Sequence, residues 1–154
     1  MNNQLFYAGG LNFSCTRCSS CCRFESGYVY LTKNDLRDLA AKCKMTYTQF
    51  VKKNCRWIPS ANDTELLSLR EKPDYDCIFW DSGCSVYDSR PLQCRTFPFW
   101  PGVLKSRESW VRAGHDCPGI NSGKIHSSAE ISELLKSQAD NPVITRETLI
   151  PEGA

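Results

Sequence analysis

The stretch Phe13-Ser-Cys-Thr-Arg-Cys-Ser-Ser-Cys-Cys-Arg-Phe24 places four cysteines within eight residues. Two residues between successive cysteines let the chain turn back, so that both sulfurs face one centre while backbone N–H groups stabilise thiolate charge. Cys22 is expected to serve a second centre or a neighbouring iron, because the side chains of adjacent residues diverge. The stretch therefore predicts a metal site whose fourth ligand comes from elsewhere in the chain.

Spacing also bears on the kind of metal. Cys15, Cys18 and Cys21 follow the Cys-x-x-Cys-x-x-Cys pattern, which in bacterial ferredoxin-type sequences supplies three ligands of an iron–sulfur cluster. In those sequences the last cysteine of the run is followed by proline, and Cys117-Pro118 repeats that pair. The two features favour an iron–sulfur cluster, of the [4Fe–4S] type, over zinc.

Length and charge limit the possible partners. The chain has 154 residues, which suits one domain of ordinary size with a modest core. Its formal net charge is +2, and acidic and basic residues are interspersed. No basic block typical of nucleic-acid or membrane-surface binding is present in the sequence. We expect neither partner.

The ten cysteines suit either a secreted disulfide scaffold or an intracellular set of metal ligands. Residues 1–10 contain no basic segment, apolar run or cleavage signal typical of a secretory leader. No run approaches the length that spans a bilayer. We therefore expect a reduced, cytoplasmic protein in which clustered cysteines are ligands.

Helix starts are indicated by three capping patterns, each with a threonine or serine followed three positions later by an acid or an amide. They are Thr32 with Asp35, Thr46 with Gln49, and Ser127 with Glu130. Apolar residues at helical spacing follow each pattern. A short helical turn that carries Cys94 is predicted after Pro91, because proline suits the first helical position.

Strands are predicted where β-branched and aromatic residues dominate, at 27–31, 65–70, 77–80 and 103–113. We expect residues 65–70 and 77–80 to pair as a hairpin, after which Asp81-Ser-Gly83 turns Cys84 back toward Cys77. The predicted fold class is α+β. It is a small irregular metal-stapled domain over residues 1–140, with short antiparallel strands and three or four helices, followed by a weakly docked tail at 141–154.

Residues outside the main spacing have less specific interpretations. Cys43 and Cys55 have no close cysteine partner in the sequence and are interpreted as buried small hydrophobic residues. His126 is expected to face solvent ahead of a helix. His115 lies two residues from Cys117 and is interpreted as a ligand, as a donor to a ligand, or as neither.

Two arginines are candidate cofactor-binding residues. Arg90 and Arg95 flank Cys94 and have donors suited to sulfide, to thiolate or to an anionic partner. The alternative is a structural one, in which an arginine stacks on Tyr87 or Trp100. Both interpretations are kept.

The joint cysteine spacing resembles the YkgJ-type cysteine cluster family, a zinc- or iron-chelating domain named for its CxxCxxCC motif. The motifs that carry the resemblance are Cys15-x-x-Cys18-x-x-Cys21-Cys22, Cys77, Gly83-Cys84-x-x-Tyr87, Arg90-Pro91-x-x-Cys94-Arg95-x-Phe97-Pro98-Phe99 and Cys117. It spans Phe13 to about Gly119 and implies a metal-chelating or iron–sulfur domain without a settled reaction. The metal ligands it implies are Cys15, Cys18, Cys21, Cys22, Cys77, Cys84, Cys94 and Cys117.

Eight thiolates suit two zinc ions, two clusters, one of each, or one cluster with leftover thiols. By analogy with the Cys-Pro ligand of the ferredoxin run, Cys117 joins Cys15, Cys18 and Cys21. The second set is then Cys22, Cys77, Cys84 and Cys94.

Three function hypotheses follow. The first is an iron–sulfur protein with a redox or maturation role and an unknown protein partner, and the second is a zinc-structured interaction module without catalytic activity. The third is an enzyme with an open metal position, such as an iron–sulfur oxidoreductase or an accessory to a modifying enzyme. The sequence contains no phosphate-binding glycine loop, Gly-x-Ser-x-Gly or His-Glu-x-x-His motif.

Overall fold

The computed structural model describes residues 5–18 and 27–149. Within these ranges it has five α-helices, four strands and two 3₁₀ turns. The helices are α1 (Lys33–Lys42), α2 (Tyr47–Asn54), α3 (Leu92–Thr96), α4 (Arg107–Gly114) and α5 (Ser128–Asp140). The strands are β1 (Leu11–Phe13), β2 (Cys55–Pro59), β3 (Glu65–Leu69) and β4 (Ile120–His126), and the 3₁₀ turns are Ala61–Asp63 and Tyr87–Ser89. Both strand pairs are antiparallel, which confirms the α+β class.

The chain divides into two compact units, each with its own hydrophobic core. The described residues of the first unit are 5–18 and 96–140, and those of the second unit are 27–95 and 141–149. The expected single domain over residues 1–140 stays a prediction. Among the described residues, no helix combines the length and the apolar character needed to cross a membrane.

The first unit combines the β1–β4 pair with α4 and α5. Trp110 of α4 is 2% exposed and stacks on Phe99 with 5.8 Å between ring centroids. Its indole Nε1–H donates to Asn121 Oδ1 at 2.9 Å, so the buried ring keeps its polar atom satisfied. The core of this unit contains Tyr7, Leu11, Phe99, Leu104, Trp110, Ile120 and Ile131.

The prediction of a strand at 103–113 is wrong, because α4 occupies most of that segment. Ser106 begins the helix, and its Oγ accepts a hydrogen bond from Ser109 N–H at 3.1 Å. Trp110 faces the core, whereas the neighbouring Val111 is 49% exposed. The alternating residue pattern that suggested a strand therefore belongs to a helix in which Trp110 is the buried residue.

In the second unit, β2 pairs with β3 over five residue pairs, from Cys55 opposite Leu69 to Pro59 opposite Glu65. The predicted strand at 65–70 is confirmed as β3, but its partner is β2. The predicted hairpin with 77–80 is wrong, since the contact between these segments is limited to one bridge between Glu71 and Cys77 and the hydrogen bond from Ile78 N–H to Arg70 O at 3.1 Å. Trp80 N–H donates to Cys77 O at 2.8 Å, so residues 77–80 form a turn and not an extended strand. The core of this unit contains Leu31, Leu36, Leu39, Ala40, Phe50, Cys55, Leu67, Leu69, Val86 and Ile144.

The predicted helix starts are confirmed. Reciprocal capping boxes are formed by Thr32 with Asp35 at α1 and by Thr46 with Gln49 at α2. Ser127 Oγ accepts from Glu130 N–H at 3.1 Å where α5 begins. The short helix α3 follows Pro91 directly, as its position in the sequence predicts.

The two segments beside β3 differ from expectation. At 27–31, where a strand is predicted, Tyr30 forms an isolated bridge with Ser68. The C-terminal segment packs more firmly than the expected weakly docked tail, since Ile144 is 1% exposed and its N–H donates to Leu31 O at 2.9 Å. Residues 150–154 lie outside the described residues.

Candidate metal centre

Cys15 and Cys18 follow β1 in an exposed segment. Arg17 N–H points at Cys15 Sγ at 3.4 Å, and Arg17 has a φ of 57°, in the left-handed region. A backbone N–H directed at the sulfur two residues before it stabilises a thiolate there. This local turn is the one that the Cys-x-x-Cys spacing predicts.

Cys117 follows α4 and is half-buried. Burial raises the pKa of Cys117, hydrogen bonding by the backbone at Gly119 and Ile120 opposes the rise, and negative charge at Cys18 and Cys15 adds to it. Ile120 N–H donates to Cys117 O at 3.2 Å. Three thiolates at one site would repel one another, and a cation bound by them would replace this repulsion with attraction.

Ser14 connects the two cysteine-bearing segments. Its N–H donates to Gly119 O at 3.2 Å, and its Oγ accepts from Lys124 N–H at 2.8 Å. These hydrogen bonds hold Ser14, which precedes Cys15, against Gly119 and Lys124, which follow Cys117. Ser14 was not among the predicted site residues, although two glycines that follow Cys117, Gly119 and Gly123, are a signal that another backbone approaches there.

The proposed cysteine ligands are chemically suited to a metal, but the described residues include only some of them. Cys21 and Cys22 lie outside the described residues, so one expected ligand of each set is not placed. Within 5–18 and 27–149, no three His, Cys, Asp or Glu residues form a group able to hold a metal ion. Thiolates are the soft ligands that zinc and iron–sulfur clusters take. When bound, such a group would supply a structural cross-link or an electron-transfer centre.

The other predicted ligands lie in the second unit. Cys77 and Cys84 are half-buried and pack against its core. Cys84 follows the predicted turn, in which Asp81 N–H donates to Gly83 O at 2.7 Å and Gly83 has a φ of 136°. Cys94 lies on α3 and is also half-buried. Their assignment as one ligand set stays a prediction.

The position of α3 depends on a carboxylate from α1. Asp35 is 3% exposed, and its Oδ2 accepts from Thr32 N–H at 2.9 Å within the capping box. Its other oxygen, Oδ1, accepts from Leu92 N–H at 2.9 Å. One buried side chain thus starts α1 and holds the first residue of the helix that carries Cys94.

The two candidate cofactor-binding arginines make contacts within the protein. Arg90 lies over the ring of Tyr87 at 3.8 Å, and its Nε donates to Tyr87 O at 2.9 Å. Arg95 Nε donates to Arg90 O at 3.0 Å, and its Nη2 is 4.0 Å from Asp35 Oδ1. Arg90 therefore stacks on Tyr87, as the structural interpretation expects, whereas the contacts of Arg95 are with Arg90 O and Asp35. Cofactor binding by either arginine stays a prediction.

The prediction that His126 faces solvent is wrong. Its side chain is 19% exposed, and its Nε2 lies 2.9 Å from Phe13 O. The cause is the β1–β4 pairing, which places His126 opposite Leu11 and beside the ring of Phe99. His115 is exposed at the end of α4, and its possible role as a ligand stays a prediction.

The two cysteines outside the motif lie in or against the second core. Cys55 is 2% exposed, and burial raises the pKa of Cys55 to about 12, a rise that the charge of Arg70 opposes. Cys43 ends α1 and packs against the same cluster. Both positions agree with their interpretation as small hydrophobic residues.

Comparisons with known proteins add to this geometry. An uncharacterized protein of Methanocaldococcus jannaschii, MJ0661, is 30% identical over 96 residues, which cover 60% of this chain and 48% of that protein. The chain thus spans about half the length of this relative. No solved structure gives a significant match. Residues 14–120, more than half of the chain, match the family "CxxCxxCC: Putative zinc- or iron-chelating domain", and the chain belongs to that family of zinc- or iron-chelating domains.

Proposed function

We propose that the first unit binds an iron–sulfur cluster of the [4Fe–4S] type through Cys15, Cys18, Cys21 and Cys117. The protein would then act in the cytoplasm as a redox or maturation component, together with a protein partner. The observation that carries the proposal is the hydrogen bond from Ser14 N–H to Gly119 O at 3.2 Å, which holds the segment of Cys15 and Cys18 beside the segment that follows Cys117.

A backbone donor at one of the sulfurs supports the same proposal. Arg17 N–H is directed at Cys15 Sγ at 3.4 Å. Hydrogen bonds to cysteine sulfur are among the features that set the reduction potential of an iron–sulfur cluster. The exposure of Cys15 and Cys18 would leave such a cluster near the surface, where an electron-transfer partner can approach.

A second candidate, a zinc-structured interaction module, is favoured by the surroundings of Cys77 and Cys84. Both pack against the hydrophobic core of the second unit, and the turn before Cys84 is closed by a backbone hydrogen bond. Structural zinc sites are closed four-ligand sites that contribute directly to folding. In this alternative Cys22, Cys77, Cys84 and Cys94 hold zinc, and the protein has no redox role.

Spectroscopy and metal analysis separate the two candidates. Anaerobically purified protein with a cluster should show a broad absorbance band at about 400 nm that bleaches with dithionite, and should contain matching iron and sulfide. Cys117→Ser should abolish the band. Cys43→Ser, a matched control outside the motif, should keep both the band and the metal content. A colourless protein with stoichiometric zinc would contradict the iron–sulfur proposal and support the alternative.

A further inference from the structure

Ser14 is held on two sides by the chain that follows Cys117. Its backbone N–H donates to Gly119 O at 3.2 Å, and its hydroxyl accepts from Lys124 N–H at 2.8 Å. Ser14 directly precedes Cys15, and Gly119 lies two residues beyond Cys117. We name the group of Ser14, Gly119, Gly123 and Lys124 the serine clamp.

The serine clamp requires glycine at the two positions, 119 and 123, that lie closest to Ser14. A Cβ on Gly119 would lie 2.3 Å from Ser14 O, and a Cβ on Gly123 would lie 2.1 Å from Ser14 Oγ. Gly123 also has a φ of +74°, which glycine adopts without strain. Neither neighbour of Ser14 therefore tolerates a side chain in this arrangement.

An irregularity in the β1–β4 pair creates the space for Ser14. Asn12 pairs with Ile125, whereas the next residue, Phe13, pairs with Ile120, so residues 121–124 loop out between the two pairs. Asn12 Nδ2 donates to Gly123 O at 3.0 Å, which holds that loop from the other side. Bulges of this kind redirect the chain beside functional sites.

We propose that Ser14 is a positioning residue that sets Cys15 beside Cys117 before metal binds. The inference rests on the proposed function, which assigns both cysteines as ligands of one site. The clamp consists of backbone groups and one hydroxyl and uses no sulfur, so it forms when the unit folds. Ordering of the two ligand-bearing segments then occurs during folding, and metal binding has less conformational entropy to overcome.

Zinc affinity of the metal-free protein tests the proposal. The measured quantity is the dissociation constant for the part of Zn²⁺ binding that Cys117→Ser removes, determined by competition with a chromophoric chelator. Ser14→Ala should weaken this binding by about tenfold to a hundredfold, the usual effect of losing a group that orients a metal ligand. A wild-type dissociation constant in Ser14→Ala, with binding still lost in Cys117→Ser, would overturn the positioning role alone.

Ser127→Ala is the matched control within the same unit. Ser127 Oγ also accepts from one backbone N–H, that of Glu130 at 3.1 Å, but it lies at the start of α5. This variant should bind zinc with wild-type affinity. Equal weakening by Ser14→Ala and Ser127→Ala would mean that the effect is general destabilisation, and would overturn the proposal.

Two further readouts distinguish positioning from stability. Cys117→Ser leaves only the zinc binding that does not involve Cys117. In that background Ser14→Ala should leave the remaining zinc binding unchanged, whereas an effect independent of Cys117 would weaken it. In the metal-free protein, hydrogen exchange at the Lys124 amide should be slow, and Ser14→Ala should make it fast. A fast-exchanging Lys124 amide in metal-free wild type would overturn preorganisation, and unchanged zinc affinity in Cys117→Ser would instead contradict the ligand assignment itself.

Discussion

The cysteines of this chain lie in two different environments. Cys55 lies in a hydrophobic core, where burial favours its neutral thiol. Cys117 is half-buried, and backbone hydrogen bonding at Gly119 and Ile120 opposes the rise in its pKa that burial causes. A metal would favour the thiolate at Cys117, whereas the surroundings of Cys55 favour a residue that behaves as a small hydrophobe.

The buried thiol predicts a dependence of stability on alkaline pH. The pKa of Cys55 is raised from its ordinary value of 9.0 to about 12 in the folded protein, so above pH 9.0 the unfolded chain loses a proton that the folded chain retains. The stabilising contribution is complete below pH 9.0 and is lost as pH rises toward 12. The excess stability of wild type over Cys55→Ala should therefore shrink by at most about 1.4 kcal/mol per pH unit.

Denaturant unfolding at a series of pH values above 8 measures this difference. Leu67→Ala is the control, because Leu67 is fully buried in the same core and has no ionisable group. Its stability difference from wild type should stay constant over the same pH range. A constant difference for Cys55→Ala as well would show that Cys55 does not stay protonated in the folded protein.

Among the elements, α1 and α2 begin with the same capping box in different surroundings. The carboxylate of Asp35 is buried and also accepts from Leu92 N–H, whereas Gln49 is exposed at α2. Asp35→Ala should lower the free energy of unfolding by about 2–4 kcal/mol, since it removes the buried carboxylate that accepts hydrogen bonds from Thr32 N–H and Leu92 N–H. Gln49→Ala should cost about 0.5–1 kcal/mol.

Chemical denaturation of both variants with metal bound checks this prediction. Asp35→Ala should additionally weaken metal binding at the site that includes Cys94, because Asp35 holds the start of α3. Equal losses of stability in the two variants would contradict the role of Asp35 as a link between α1 and α3.

Local signals predicted four of the five helices within the described residues and the strand β3, but they missed α4 and the other three strands. The capping pairs identified α1, α2 and α5, because a helix start is decided by residues three positions apart. In β4, residues 121–125 are all exposed, so the strand shows no alternation of apolar and polar residues. Its identity depends on pairing with β1, more than a hundred residues away in the chain.

The candidate site was predictable in its residue types but only partly in its geometry. The spacing of Cys15 and Cys18 and the Cys117-Pro118 pair indicate a common site. The hydrogen bond from Ser14 N–H to Gly119 O holds the segments of Cys15 and Cys117 side by side, and their assignment to one ligand set stays a prediction. The contribution of Ser14 could not be predicted, because it depends on backbone approach at Gly119 and Gly123 after a long-range strand pairing. Such contacts leave no periodic pattern in a single sequence.

At the scale of the whole molecule, the proposed ligand sets coincide with the two units. Cys15, Cys18 and Cys117 belong to the first unit, and the second contains Cys77, Cys84 and Cys94. Each unit has a separate hydrophobic core. Because metal-binding free energy adds to the folding free energy of the segment that is ordered, each metal set should stabilise its own unit.

Removing one ligand from each proposed set tests this division. Cys117→Ser should increase deuterium uptake in peptides from α4 and α5 and leave α1 and α2 at the wild-type rate, whereas Cys84→Ser should do the reverse. Hydrogen exchange detected by mass spectrometry resolves the two units, because local opening reports the stability of each cooperative segment. Cys43→Ser is the control for loss of a thiol without loss of a proposed ligand. Increased uptake in both units with either single variant would contradict the proposed division of ligands. It would show that both sets of cysteines bind one metal centre, or that the two units unfold together.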